Sequence, residues 1–132
     1  MMAAAFRTAI TNGSLSDILQ VTRGLDKEGL RVSSSGHRLS QKPHPTPLGS
    51  ALTHNAITTD YSEALLEFIT SVHDTPAGAL NELHQLHAYT AQSLHDEIIW
   101  GARMPGELGP EMELPIASYG SSTLGPMKRV DR

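Results

Sequence analysis

Polar and apolar positions alternate along residues 24–33, GLDKEGLRVS. The alternation predicts a strand with Asp26, Glu28, Leu30 and Val32 on one face and Leu25, Lys27 and Arg31 on the other. The longest apolar-rich run follows at 49–70, GSALTHNAITTDYSEALLEFIT, and Asp60, Glu63 and Glu67 interrupt it. Its period is ambiguous. The three acids fall on one helical face at spacings of three and four. As a strand, Glu63, Leu65, Glu67 and Ile69 alternate with Ala64, Leu66, Phe68 and Thr70. Ile57-Thr58-Thr59 and Phe68-Ile69-Thr70 favour extended structure, whereas Glu63-Ala64-Leu65-Leu66 favours helix. From Pro76 the period is helical. Asp74 or Thr75 caps the start, and Pro76 takes the first helical position. Leu80, Leu83, His87 and Leu94 form the apolar face, with Leu86 and Ala91 beside it, and the helix runs to about Glu97.

The remaining segments are less patterned. Residues 1–19 are a lead-in that ends in a short helix, with a turn signal at Asn12-Gly13 and a cap at Ser14 or Ser16. Residues 33–47, rich in Ser, Pro and Gly, read as a loop; His37 and His44 lie in it as solvated side chains without a role. Trp100, the single tryptophan, is expected to pack near the end of the long helix. Residues 104–115 are a connection. The segment from 118 to 132 carries Gly120 and Gly125 around hydroxyls, then Lys128, Arg129 and Arg132. Pro126 stands where a phosphate-binding Walker loop needs Lys, so that motif is absent.

Composition narrows the classes. The 132 residues suit one small domain or a piece of a larger one. The formal charge is −4 with the basic residues spread out, so nothing favours a grip on nucleic acid or an anionic membrane. No cysteine is present, which excludes disulfides and thiol chemistry from this chain. No apolar run approaches the roughly 20 residues of a membrane helix. A soluble, cytoplasmic protein is expected.

The chemistry lies in the acids. A carboxylate inside an apolar run needs a basic partner or a metal ion, because burying it alone costs several kcal/mol. Asp26 and Glu28 point the same way on their strand. Like charges held that close repel unless a cation sits between them, and hard divalent cations such as Mg2+ take oxygen ligands. His84 and His87, three apart, read as flanking a packed stripe, since no further ligand appears at zinc-like spacing.

Taken together, these stretches resemble glutamate–cysteine ligase of the proteobacterial type, in its N-terminal part. The matching residues are RGLDKEGLRV at 23–32, LGSALTH at 48–54 with ITTDY at 57–61, and EALLEFIT at 63–70. Met104-Pro105 and Tyr119-Gly120-Ser121-Ser122, with Gly125, Lys128 and Arg132, complete the match. The resemblance implies an α+β fold: part of a glutamine-synthetase-like antiparallel sheet with helices packed behind it, incomplete in this chain. Residues 1–132 would be the N-terminal portion of a single catalytic domain. It favours the strand for residues 65–72.

The resemblance also implies the reaction. ATP-dependent ligation joins the γ-carboxylate of L-glutamate to L-cysteine through a γ-glutamyl phosphate, the first step of glutathione synthesis. Asp26, Glu28 and Glu67 would be Mg2+ ligands. Tyr61 would wall the cysteine side chain, Arg132 would contact a substrate carboxylate, and Asp60 would stand behind the metal ligands. Three departures from the family pattern stand out: Asp26 for Glu, Ser71 for Pro, and Asp131 for the Tyr beside Arg132. The chain also ends where family members continue, so only part of an active site is expected. The alternative is a non-catalytic remnant acting through protein contacts.

Overall fold

The computed structural model describes residues 7–8, 11, 21–49, 54–102, 107–110 and 114–118. The helix expected before residue 20 and the loop at 119–132 lie outside them. The elements are β1 (Asp26–Ser33), a 3-10 turn (Thr46–Leu48), β2 (Ile57–Thr58), β3 (Leu65–Ile69), α1 (Pro76–Ser93) and β4 (Glu97–Ile99). The strands form one antiparallel sheet in the order β2-β3-β1-β4. This is the expected α+β arrangement, with one helix behind the sheet among the described residues.

The alternation at 24–33 does form a strand. The ambiguous run resolves as two strands joined by a turn, so Glu63 and Glu67 part company. Glu67 lies on β3 opposite Glu28, whereas Glu63 is buried in the turn. Propensity alone misjudged Glu63 to Leu66, because pairing of Leu65 and Leu66 with β1 overrides a local helical preference. The segment at 33–47 is more ordered than a plain loop. It turns back at 34–36 through His37, whose φ is 54°, and pairs Leu39 with Val32.

The core lies between the sheet and α1. Leu48, Ile57, Leu66 and Phe68 are fully buried there, with Leu83, Leu86 and Ile99 against them. Gly29 permits a close approach of β4: a Cβ at that position would meet Ile99 Cγ2 at 2.7 Å. The helix starts as expected, with Thr75 accepting from Gly78 N at 3.1 Å and Pro76 next. It ends at Ser93 rather than near Glu97, because Glu97 is drawn into β4. Its inward residues are Ala79, Leu83, Leu86 and Thr90; Leu80, expected on that face, is 59% exposed. Trp100 follows β4; its backbone N–H donates to Leu30 O at 2.7 Å, and its ring lies against that of His37.

Arg31 is buried on the helix side of β1. Its Nη1 donates to both Glu97 carboxylate oxygens, at 2.9 and 3.2 Å. Its Nη2 donates to Lys42 O at 2.7 Å and Glu63 O at 2.9 Å. Ser40 Oγ donates to the same Glu97 carboxylate. At the edges of this network Lys42 pairs with Asp96, and behind β3 His73 pairs with Glu82.

Two mutational outcomes follow from this packing. Phe68→Ala should lower the unfolding free energy by about 3–5 kcal/mol, while Leu80→Ala stays within about 0.5 kcal/mol, measured by urea denaturation. Arg31→Ala should cost about 3–5 kcal/mol by the same measurement, because Glu97 is left buried without its cation. Replacing both, as Arg31→Met with Glu97→Leu, should cost clearly less.

Candidate active site

The sheet has two unlike faces. Ile57, Leu66 and Phe68 turn toward α1. On the opposite face lie Asp26, Glu28 and Leu30 of β1, Leu65, Glu67 and Ile69 of β3, and Thr58 of β2, as the register requires. A cleft of about 850 Å3 opens along β1, lined by residues 26–30, Leu65, Trp100 and the two residues after it; Asp26 and Glu28 are the acids in its wall.

Register sets the geometry of the acids. Glu28 is directly opposite Glu67, which places two carboxylates at Cβ separations of about 4.5–5.5 Å. Asp26 is opposite Ile69, which makes it the diagonal neighbour of Glu67, roughly 7–8 Å away. Lys27 does not step between them. Its Nζ donates to Glu28 O at 3.2 Å and lies 5.8 Å from the centroid of the Phe68 ring, on the other face.

These donors are all carboxylate oxygens, which suits a hard divalent cation in charge and chemistry. Among the described residues, no three Asp, Glu, His or Cys side chains gather tightly enough to hold an ion by themselves. Mg2+ rarely needs such a cage. It keeps several waters and commonly takes one or two carboxylates together with substrate phosphates. The residues therefore fit the ion as part of its shell.

The other expected site residues are placed differently. Asp60 is half-buried in the connection between β2 and β3. Tyr61 follows it, 63% exposed, and its ring is not among the cleft-lining groups. Its carbonyl accepts from Ala117 N at 3.0 Å, so the turn that carries it is pinned to residues 115–118. Arg132 lies outside the described residues. Glu63 finds the partner that a carboxylate in an apolar run requires, but the partner is backbone: His44 N at 2.9 Å and Ser118 N at 2.8 Å.

The sequence reading missed two features. Trp100 walls one end of the cleft, with its ring 4.9 Å from that of His37 at an angle of 39°. The β-branched pair Ile98-Ile99 before it, which favours a strand, was the available signal. The second is His44, assigned to solvent, whose two ring nitrogens are buried. His87 is no ligand: its ring packs 4.4 Å from Phe68, and burial, aided by the charge of Lys27, holds its pKa below the usual imidazole value.

A family model described as glutamate–cysteine ligase matches residues 8–132. The chain belongs to the glutamate–cysteine ligase family. A glutamate–cysteine ligase of Pseudomonas putida is 46% identical over 126 residues, covering 96% of this chain and 24% of the relative. One from Saccharophagus degradans is 48% identical over 112 residues, covering 85% and 21%. The crystal structure of glutamate–cysteine ligase from Francisella tularensis in complex with AMP superposes with a TM-score of 0.76 at 45% identity. It covers 83% of this chain and 22% of that one. A bifunctional glutathione synthetase from Pasteurella multocida gives a TM-score of 0.75 at 30% identity, covering 83% and 15%. The chain thus spans about a quarter of the length of the curated ligases it matches.

The opposition of Glu28 and Glu67 has a measurable cost. Like charges directly across a ladder destabilise a sheet, and removing one relieves the repulsion. In EDTA, Glu28→Gln should raise the unfolding free energy by about 0.2–1 kcal/mol. Saturating Mg2+ should narrow that advantage, as read by urea denaturation with and without the ion.

Proposed function

We propose that this chain supplies the acidic wall of a glutamate–cysteine ligase active site. The observation that carries the proposal is the cross-strand pair Glu28–Glu67, with Asp26 beside it on the same face, and a cleft of about 850 Å3 that Asp26 and Glu28 line, in a member of this family. The overall reaction has two stages. A γ-carboxylate oxygen of L-glutamate attacks the γ-phosphorus of ATP, forming γ-glutamyl phosphate and releasing ADP. The amine of L-cysteine then attacks the acyl carbon, phosphate leaves, and the amine loses a proton.

Phosphoryl transfer asks the protein chiefly for positioning and charge neutralisation. Asp26, Glu28 and Glu67 are the residues that would hold Mg2+. Bound there, the ion would neutralise phosphate charge and orient the phosphates. The rigid ladder between β1 and β3 fixes the spacing of the acids, so their geometry does not wait on substrate. Asp60 would orient these ligands from behind. Tyr61 would contact the cysteine side chain and Arg132 a substrate carboxylate, where a guanidinium fork fits. Both would act with parts of the active site that relatives carry in the other three-quarters of their length. Among the described residues no helix is long and apolar enough to cross a membrane. A cytoplasmic setting, where ATP and both amino acids are found, agrees with that.

Calorimetric titration of Mg2+ with a non-hydrolysable ATP analogue and glutamate into the 132-residue chain tests this. Saturable heat is expected. Glu67→Ala should weaken binding by about tenfold or more, since even partners outside a metal's ligand shell are worth 10–100-fold. Equal heats from the two proteins, or none from either, would remove the acidic wall from the reading and leave a non-catalytic relative.

A further inference from the structure

Glu63 is the joint between three segments. Its buried carboxylate accepts from His44 N and Ser118 N. Its own N–H donates to Pro115 O at 2.8 Å, and its carbonyl accepts from Arg31 Nη2. Around it, Ser62 Oγ donates to Pro115 O at 3.0 Å and Ala117 N to Tyr61 O. Residues 115–118 are thus laid along the turn that carries Asp60 and Tyr61, and one carboxylate clasps both sides.

The His44 ring lies beside this clasp. Both ring nitrogens are buried, and among the described residues neither has a hydrogen-bond partner. The charged or titratable groups facing it are Arg31 from β1, Glu63 from the turn and His54 from the segment before β2. Arg31 is itself neutralised by Glu97 of β4. A neutral imidazole places one N–H in this setting. An imidazolium would place two, next to a guanidinium, with Glu63 as the acid that faces it.

We propose that His44 and Glu63 form a pH-operated latch: the neutral His44 ring lets Glu63 hold residues 115–118 to the β2–β3 turn, and protonation of the ring releases them. The charged ring has two ways to satisfy its donors. It can draw the Glu63 carboxylate to itself and away from Ser118 N. Otherwise it swings out to water and drags His44 N off the carboxylate, since Pro43 and Pro45 restrict the backbone on both sides. Either motion breaks the double grip and loosens the turn that carries Tyr61.

Burial first, and then the charge of Arg31, lower the pKa of His44 from its ordinary value of 6.5. The sign follows by linkage. A lowered imidazole pKa means that the latched state binds fewer protons, so latching is fully favoured above about 6.5 and is lost as pH falls through the lowered value.

The test is an NMR titration of the uniformly labelled 132-residue chain, following histidine ring carbons and backbone amides from neutral to mildly acidic pH. No substrate enters it, so its outcome is separate from that of the ligase proposal. The His44 ring should titrate below 6.5, and the Ser118 amide should shift with the same midpoint. In His44→Gln the Ser118 amide should keep its neutral-pH position throughout. Ser118 holding still while His44 titrates would overturn the latch, as would an unchanged Ser118 transition in His44→Gln. If His44→Gln does not fold, the wild-type midpoints decide: a shared value supports the latch and separate values refute it.

Discussion

The structure depends on one buried guanidinium. Arg31 reaches the Glu97 carboxylate on β4, the Lys42 carbonyl in the segment after β1, and the Glu63 carbonyl in the β2–β3 turn. These partners lie 66, 11 and 32 residues away in the chain. Taking a cation and a carboxylate out of water is expensive, and attraction between them roughly offsets the cost only when geometry is good and other hydrogen bonds are filled. The planar fork of Arg supplies several donors in fixed directions, which a Lys could not. The pair therefore defines where β4 and the turn sit more than it adds to stability.

That placement decides the character of the opposite face. Side chains alternate across a strand, so fixing Arg31 on the helix side sends Asp26 and Glu28 to the other. A slip of one residue in the β1–β3 register would put the acids against Phe68 and the core. The carboxylates of this small sheet thus fall into two groups. Glu63 and Glu97 are buried and satisfied within the chain, by backbone N–H groups and by Arg31 respectively. Glu28 and Glu67 oppose each other across the ladder, and Glu28 lines the open cleft. The first group builds the scaffold, and the second sets two carboxylates side by side on the face away from the helix, an arrangement whose oxygens suit a divalent cation.

Within this chain the two groups make a wall: a rigid ladder, acids on one face, an apolar core and helix on the other. Trp100, whose backbone N–H donates to Leu30 O, extends the wall beyond the acids. A quarter of a ligase can contain such a wall because β1 and β3 are close in sequence and pair with each other directly.

The sequence by itself determined what is local. The alternation at 24–33 was enough for β1 and for which side chains share its faces, and Thr75-Pro76 was enough for the start of α1. The matched segments were enough for the family, and the rule that an acid in an apolar run needs a partner held for Glu63, although that partner is backbone rather than a cation. Tertiary structure decided what depends on distant partners. Local propensity for residues 65–69 pointed both ways; the family resemblance favoured the strand, and pairing with β1 is what forms it. Only the register put Glu67 opposite Glu28. The partners of Glu63 are backbone groups at positions 44 and 118, which no side-chain pattern announces. The helix ends early, and Leu80 faces water, because β4 and the sheet fix which side of α1 can be covered. Period and propensity act over a few residues, whereas burial and charge pairing are settled by segments that meet only when the chain is folded.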